Sequence, residues 1–409
     1  MADLAVGTRD LSPSVPAADL RALVSGSTAF ALALYHRVAD DPDAGNIALG
    51  PYSVSTALAM LEAGAAGRTR AQIDDALHFN LPTPRLDAAL NALSLALASR
   101  NSDDVAVSVA DRAFGQQGYP FRQSYLRQLT GSFEAPMAAV DYRNEWVLDR
   151  QLINQWVSDQ THGAIDELIP DRQPPYVTPN TRLALINAMY LNAKWAHPFP
   201  DEFTHPEHFY RANGSDVEVP MMEGDAAVRF SYRFTDNDRY QAVELPYKGG
   251  QFSMLLLMPL QARDFAAFED RLTPASLADI SATMHRGTIN ELDVPRFSAR
   301  TSLNLAGTLK QMGIADAFNQ DVANLSGIAN PADIRKIGEN SLYTTAVLHQ
   351  AWIKVGEKGT EAAASTGVLV GEGGPLTILD FNQPFLWFIR DQQTGTVLFM
   401  GRVMDPTQQ

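Results

Sequence analysis

Few residues in this chain have the types and spacing that chemistry needs. His205, Glu207 and His208 are close enough to raise the question of a metal, but Pro206 lies among them and no further ligand is spaced nearby. Metal sites need several ligands that converge, so these read as solvated loop residues, and no metal is expected. His349 sits in an apolar, strand-like context and reads as a buried, hydrogen-bonded histidine rather than a general base. With no cysteine in the chain, disulfides, thiolate nucleophiles and Cys-based metal sites are excluded. No G-x-S-x-G elbow, G-x-x-x-x-G-K loop or H-E-x-x-H helix is present, and Gly371-Glu-Gly373-Gly374 lacks the third spaced glycine of a dinucleotide loop. No catalytic residue and no cofactor are expected, so a hydrolase is disfavoured.

What remains is a long small-residue segment, Gly356 to Pro375, between two strand-like runs, Ala351–Val355 and Pro384–Arg390. Loops of this length are uncommon in compact domains and tend to be functional or disordered. In a strand, alternate residues share a face. The even positions Thr360, Ala362, Ala364, Thr366, Val368 and Val370 are all small or β-branched and uncharged. The odd positions include Glu361 and tolerate water, and Gly359 offers a hinge. The segment therefore suits a strand that enters a sheet. The run Thr-Glu-Ala-Ala-Ala equally suits a short helical turn followed by a flexible Gly-rich tether, and composition alone leaves both open.

The 409 residues carry a formal net charge of −15, with 45% hydrophobic residues. There is ample material for a large core. So acidic a chain is a poor partner for nucleic acid or other polyanions. A heparin-type partner is also not expected, since Leu81 to Asn101 carries only Arg85 and Arg100 as basic residues. No apolar run approaches a membrane span. The first residues lack a basic start followed by an apolar stretch, so no secretory signal is visible. On this sequence the chain is cytoplasmic, or extracellular if a leader has been removed.

Helical spacing runs through Leu20–Val38, Ser53–Ala63, Pro84–Ala98, Gln123–Gly131 and Asp149–Thr161, with Gly64, Gly67 and Gly163 as stop signals. From Leu183 the character becomes strand-like: the apolar run Leu183–Leu191, the alternating runs Val228–Phe234 and Gln241–Tyr247, and Ile289–Phe297, with one more helix at Leu303–Met312. Helices first and strands later indicate an α+β fold. No repeat or low-complexity linker divides the chain, which reads as a loose arm over 1–19 and a single domain over 20–406.

Ordered motifs over roughly residues 20 to 406 resemble the serpin family. Glu357-Lys-Gly-Thr-Glu-Ala-Ala-Ala-Ser-Thr366 is similar to the inhibitory serpin hinge. Phe399-Met-Gly-Arg-Val-Met-Asp-Pro406 and Pro384–Arg390 resemble its C-terminal signature. Asn46–Val54, Gly64–Thr69, Asn154–Val157, Lys194-Trp195, Val219–Met222, Glu244–Tyr247 and Leu325–Gly327 follow in family order. The resemblance, to an inhibitory member of prokaryotic type, implies three β-sheets, about eight or nine helices and an exposed reactive-centre loop at about 357–380. It implies a suicide-type inhibitor of serine endopeptidases. The protease cuts the loop, and the hinge half inserts into the central sheet as a new strand, dragging the acylated protease with it. At about 1 kcal/mol per new bond, roughly a dozen bonds would release on the order of 10 kcal/mol, so the uncut fold is expected to be metastable. The alternative is a non-inhibitory serpin, a binding or chaperone-like protein. The uncharged inserting face favours the inhibitor.

The same resemblance assigns roles. The hinge is Glu357, Gly359, Thr360, Glu361, Ala362, Ala363 and Ala364. Ser53, Asn187 and His349 match the shutter under the central sheet, and Trp195 and Thr204 match the breach where insertion starts. Gly50 stands where the family usually has a serine, so the shutter's hydrogen bonds are expected to be rewired. Counts from both ends of the loop agree on Gly373-Gly374 as the reactive bond, with Glu372 or Val370 as alternatives in a shifted register. No Lys or Arg occurs from Gly359 to Asp380, so the expected partner is a subtilisin-like, elastase-like or glutamate-preferring protease rather than a trypsin-like one. The protein is expected to act as a monomer.

Overall fold

The computed structural model describes residues 3–4, 7–235, 238–360 and 377–408. The first part is mainly helical: α1 (Ala17–Ala39), β1 (Ile47–Leu49), α2 (Pro51–Glu62), α3 (Gly67–Leu77), α4 (Thr83–Ala98), β2 (Val105–Gln116), α5 (Gln123–Phe133), β3 (Met137–Val140) and α6 (Tyr142–Gln160). Strands then dominate: β4 (Leu183–Lys194), β5 (His205–Tyr210), β6 (Asp216–Thr235), β7 (Asp238–Pro246) and β8 (Phe252–Pro259). The chain continues through α7 (Phe265–Asp270), α8 (Pro274–Thr283), β9 (His285–Pro295), β10 (Phe297–Asn304), α9 (Ala306–Gln311) and α10 (Pro331–Lys336). It ends with β11 (Leu348–Gly356), β12 (Gly359–Thr360), β13 (Ile378–Asp380), β14 (Phe385–Asp391) and β15 (Val397–Val403).

Six strands form the central sheet, in the order β10-β11-β12-β4-β2-β3. The others run β1-β15-β14-β8-β7-β6-β9-β13, with β5 also paired to β6. The long strand β6 belongs to two sheets. Its residues 216–221 pair with β5, its residues 229–235 pair with β7, and its ladder to β9 shifts register between Gly224 and Ala226. The fold is therefore α+β with three sheets. Ten α-helices occur among the described residues, three of them only six residues long; of these, α7 and α10 lie in stretches the sequence reads as connections.

Alternation on β4 shows how the layers stack. Met189, Leu191 and Ala193 join a core with Trp387, Ile389 and Phe399 of the second layer. Ile186 and Ala188, of opposite parity, pack with Ile153 and Val157 of α6. Period-two alternation thus buries both faces of one strand. The helix α1 is long and apolar enough by composition to suit a membrane span, although no such run stands out in the sequence. Its Phe30, Leu34 and Tyr35 are fully buried in the protein core, as a core helix requires.

Several expectations change. Gly67 does not end a helix but opens α3, with φ of +59°. Leu303 and Asn304 belong to β10, which shortens the helix expected over Leu303–Met312 to α9. Val105–Gln116 is a strand at the heart of the central sheet, although Asp111 and Arg112 interrupt its apolar pattern. His205, Glu207 and His208 are not loop residues: they lie on β5, with His208 on the opposite face from the other two. His208 pairs with Asp216 at 2.6 Å, whereas His205 lies 3.5 Å from Glu207.

Candidate functional site

Strand β11 turns back at Glu357-Lys358, and Gly359-Thr360 enters the central sheet. Thr360 pairs with Val355 of β11 on one side and Ala193 of β4 on the other, and Gly359 pairs with Gly356 and Lys194. Both pairings are antiparallel, so β11 and β4 run parallel to each other. Beyond this two-residue wedge, β4 is paired only on its β2 edge and β11 only on its β10 edge, among the described residues. The edges of β4 from Leu183 to Asn192 and of β11 from Leu348 to Lys354 face each other.

The wedge is held in detail. Gly359 has φ of +146°, and a Cβ there would come 2.1 Å from the Ala193 carbonyl oxygen, so only glycine fits. Thr360 is 2% exposed, and its Oγ1 is 2.8 Å from the Tyr247 hydroxyl. Tyr247 in turn stacks on Trp195, with centroids 4.5 Å apart. The Trp195 indole N–H donates to the Gly356 carbonyl at 3.0 Å, and its backbone N–H donates to the Lys358 carbonyl at 2.9 Å. Glu357 accepts from Thr204 Oγ1 at 2.7 Å and Arg296 Nε at 2.5 Å. Burial pushes the Glu357 carboxyl up, but the Arg296 and Thr204 hydrogen bonds more than offset this, and its pKa lies below the ordinary value. Lys358 pairs with Asp201 at 3.0 Å.

Lower down, a cleft of about 560 Å³ opens between the facing edges. Ser53 and Leu58 of α2, Leu185 and Asn187 of β4, and His349 of β11 line it. The register explains why Asn187 and His349 meet here: each is six residues along its strand from the observed pairing at Thr360, so they stand level across the cleft. His349 Nε2 accepts from the Gly50 backbone N–H at 3.1 Å. Burial pushes the imidazole down to about 4, so it is neutral at pH 7 and its lone pair is available. The expected rewiring at Gly50 therefore uses the main chain, where a side-chain hydroxyl is missing. Asn187 donates through Nδ2 to Asp111 on β2, and its Oδ1 is buried without a hydrogen-bond partner. Desolvation lifts the Asp111 carboxyl to about 7.

The structure thus brings Glu357, Gly359, Thr360, Trp195 and Thr204 together at the top of the sheet, and Ser53, Asn187 and His349 around the cleft below. Glu361, Ala362, Ala363, Ala364 and the reactive-bond residues Gly373, Gly374, Glu372 and Val370 lie outside the described residues. Sequence reasoning missed Arg296, Asp201 and Asp111, which join the site across the fold with no local pattern. It quoted Tyr247 within a motif but gave it no role.

A family model described as Serpin (serine protease inhibitor) matches residues 25–406. The chain belongs to the serpin family. A serpin-like protein of Methanosarcina mazei is 32% identical, over 94% of this chain and 87% of that protein. Human leukocyte elastase inhibitor is 31% identical, over 94% of this chain and 99% of that protein. Among solved structures, human thyroxine-binding globulin in complex with its hormone superposes with a TM-score of 0.82 at 27% identity, covering 95% of this chain and all of that one.

Proposed function

We propose that this serpin is a suicide-type inhibitor of serine endopeptidases. The observation that carries the reading is the register of Gly359 and Thr360 between β11 and β4. Extended at that register, Thr366 falls between Asn187 and His349, beside the buried unpartnered Asn187 Oδ1. In such a strand the uncharged residues Ala362, Ala364, Val368 and Val370 would fall on the same face as Thr360. Insertion of 361–370 would complete the backbone hydrogen bonds of both facing edges without burying a charge. In this reading Ser53, Asn187 and His349 are the shutter that admits the strand, and Trp195 and Thr204 flank its entry.

The domain extends over 20–406 and acts as a monomer. Its reactive bond is Gly373-Gly374, or a neighbouring bond after Glu372 or Val370. Likeness to leukocyte elastase inhibitor, with no Lys or Arg across the loop, supports an elastase-like, subtilisin-like or glutamate-preferring target. Likeness to thyroxine-binding globulin favours a second reading, a carrier or other non-inhibitory binding protein. One experiment separates them. The protein is incubated with elastase, subtilisin, a glutamate-specific endopeptidase and trypsin, and denaturing gels are read for a covalent adduct. The released C-terminal peptide is then sequenced. An inhibitor gives an adduct with at least one of the first three and a cut near Gly373. Clean cleavage without adduct by every protease, with no rise in melting temperature, rejects inhibition.

A further inference from the structure

At the far end of the loop, the described residues after position 376 include a short edge strand, β13, that sets its one carboxyl group, Asp380, beside another. Parallel pairing of β13 with β9 places Asp380 beside Asp293, and the antiparallel β6 places Glu223 on the other side of Asp293. Three carboxyl residues thus form one row across three strands. Asp293 is 5% exposed. Asp293 Oδ1 and Asp380 Oδ1 are both buried and have no hydrogen-bond partner, while Asp380 Oδ2 accepts from Asn382. Further acidic groups act on the row, Glu207 from β5 and Glu291 from β9. The nearby His205 lies 3.7 Å from Glu223, and its pKa is raised, first by its hydrogen bond to the Phe203 carbonyl and then by the surrounding acids.

Like charges at paired positions repel, and burial strengthens the effect. The strand that must withstand this is only three residues long and lies at the sheet edge. Beyond the three-residue ladder with β9, its main-chain anchors lie at its two ends: the Thr377 carbonyl accepts from Asn290 N at 2.9 Å and Glu291 N at 3.3 Å, and Phe381 N donates to the Asp293 carbonyl at 2.8 Å. Thr377 also donates to Asn290 Oδ1 at 2.9 Å.

We propose that Asp293 and Asp380 form a proton-operated clasp on β13: with a proton on the pair the edge strand stays seated against β9, and with both ionised their repulsion loosens it. Burial, reinforced by the neighbouring carboxylates, lifts each carboxyl to about 7. A raised pKa in the seated state means that seating is strongest at low pH. It weakens as pH rises from the ordinary carboxylate range, near 4, to about 7, and levels off above that. The pKa of His205 is raised above the ordinary imidazole value, so it keeps its charge through most of this range; losing it at the upper end removes a compensating cation and acts in the same direction. Because β13 follows residues 361–376 closely in the chain, pH would set how firmly the far end of that segment is anchored. The clasp does not depend on protease inhibition and is tested without any protease.

The test is hydrogen exchange on the intact chain at about pH 5 to 8, with each amide corrected for its intrinsic rate. Protection of the Asn290 and Phe381 amides is expected to fall about tenfold or more across this range. Amides of β14 and β15 should keep theirs. Asp380→Asn and, separately, Asp293→Asn should each flatten the dependence and hold protection high at pH 8. Having two variants guards against a folding failure in one. Protection of Asn290 and Phe381 that does not vary with pH, an unchanged slope in a folded variant, or an equal slope in β14 and β15 would overturn the clasp.

Discussion

Thr360→Arg tests the insertion reading most directly. Thr360 is almost fully buried and shares a hydrogen bond with Tyr247, while its strand neighbours Val355 and Ala193 offer no carboxylate. Arginine there leaves the buried Tyr247 hydroxyl without its partner, at about 1–3 kcal/mol. It also places a guanidinium where no carboxylate is within the pairing, at several kcal/mol. Because residue 360 already sits in the sheet of the uncut chain, the variant's hinge should leave it, and insertion must then bring the arginine back in; a penalty of about 4 kcal/mol is a conservative figure, and as a barrier it slows that step about a thousandfold. Hydrolysis of the acyl-enzyme competes with insertion, so the variant should be cut and released as a substrate. The assay is the yield of denaturant-resistant adduct per mole of cleaved protein, compared with wild type. An equal yield would refute the idea that Thr360 leads the entering strand.

Gly359→Ala should act through geometry alone: its Cβ would meet the Ala193 carbonyl oxygen, forcing β12 out of the sheet, and a fall in adduct yield with a lower melting temperature checks this. Arg296→Ala leaves Glu357 with Thr204 as its remaining side-chain partner. Since Arg296 is half-exposed, the expected loss is only about 1 kcal/mol, read as faster exchange at the hinge turn. In the intact protein the same contact should weaken as pH falls below about 4, because the depressed carboxyl must then be protonated. The His349 imidazole should titrate near pH 4 by NMR. Since an unfolded histidine titrates near 6.5, its contribution to stability is complete above that value and is lost between it and about 4 as pH falls. A midpoint near 6.5 in the folded protein would show that the site is not desolvated.

Much of this protein was legible as local pattern. The glycine at 359, the helix spacing of α1, α2 and α4, and the apolar run of β4 each depend on neighbours within a few residues. Backbone sterics and side-chain periodicity act at that range. The order of motifs along the chain then carried the family. The interior strand β2 was missed because Asp111 and Arg112 break its pattern, and Asp111 accepts a hydrogen bond from Asn187 on the neighbouring strand, a partner distant in the chain.

Tertiary structure alone decided what stands beside what. Arg296 meets Glu357 from 61 residues away, Tyr247 meets Thr360 from 113, and Asp293 and Asp380 become neighbours only because β13 pairs in parallel with β9. Asn187 and His349 stand level because one two-residue wedge sets the register of two strands that do not pair with each other. Sheet pairing joins segments whatever their separation in the chain, and a hydrogen-bond partner across a sheet leaves no periodic trace in either segment. Local pattern therefore fixed the elements and the glycine at the hinge, and the fold determined which two edges Gly359 and Thr360 lie between, what holds them there and which carboxyl groups meet at β13.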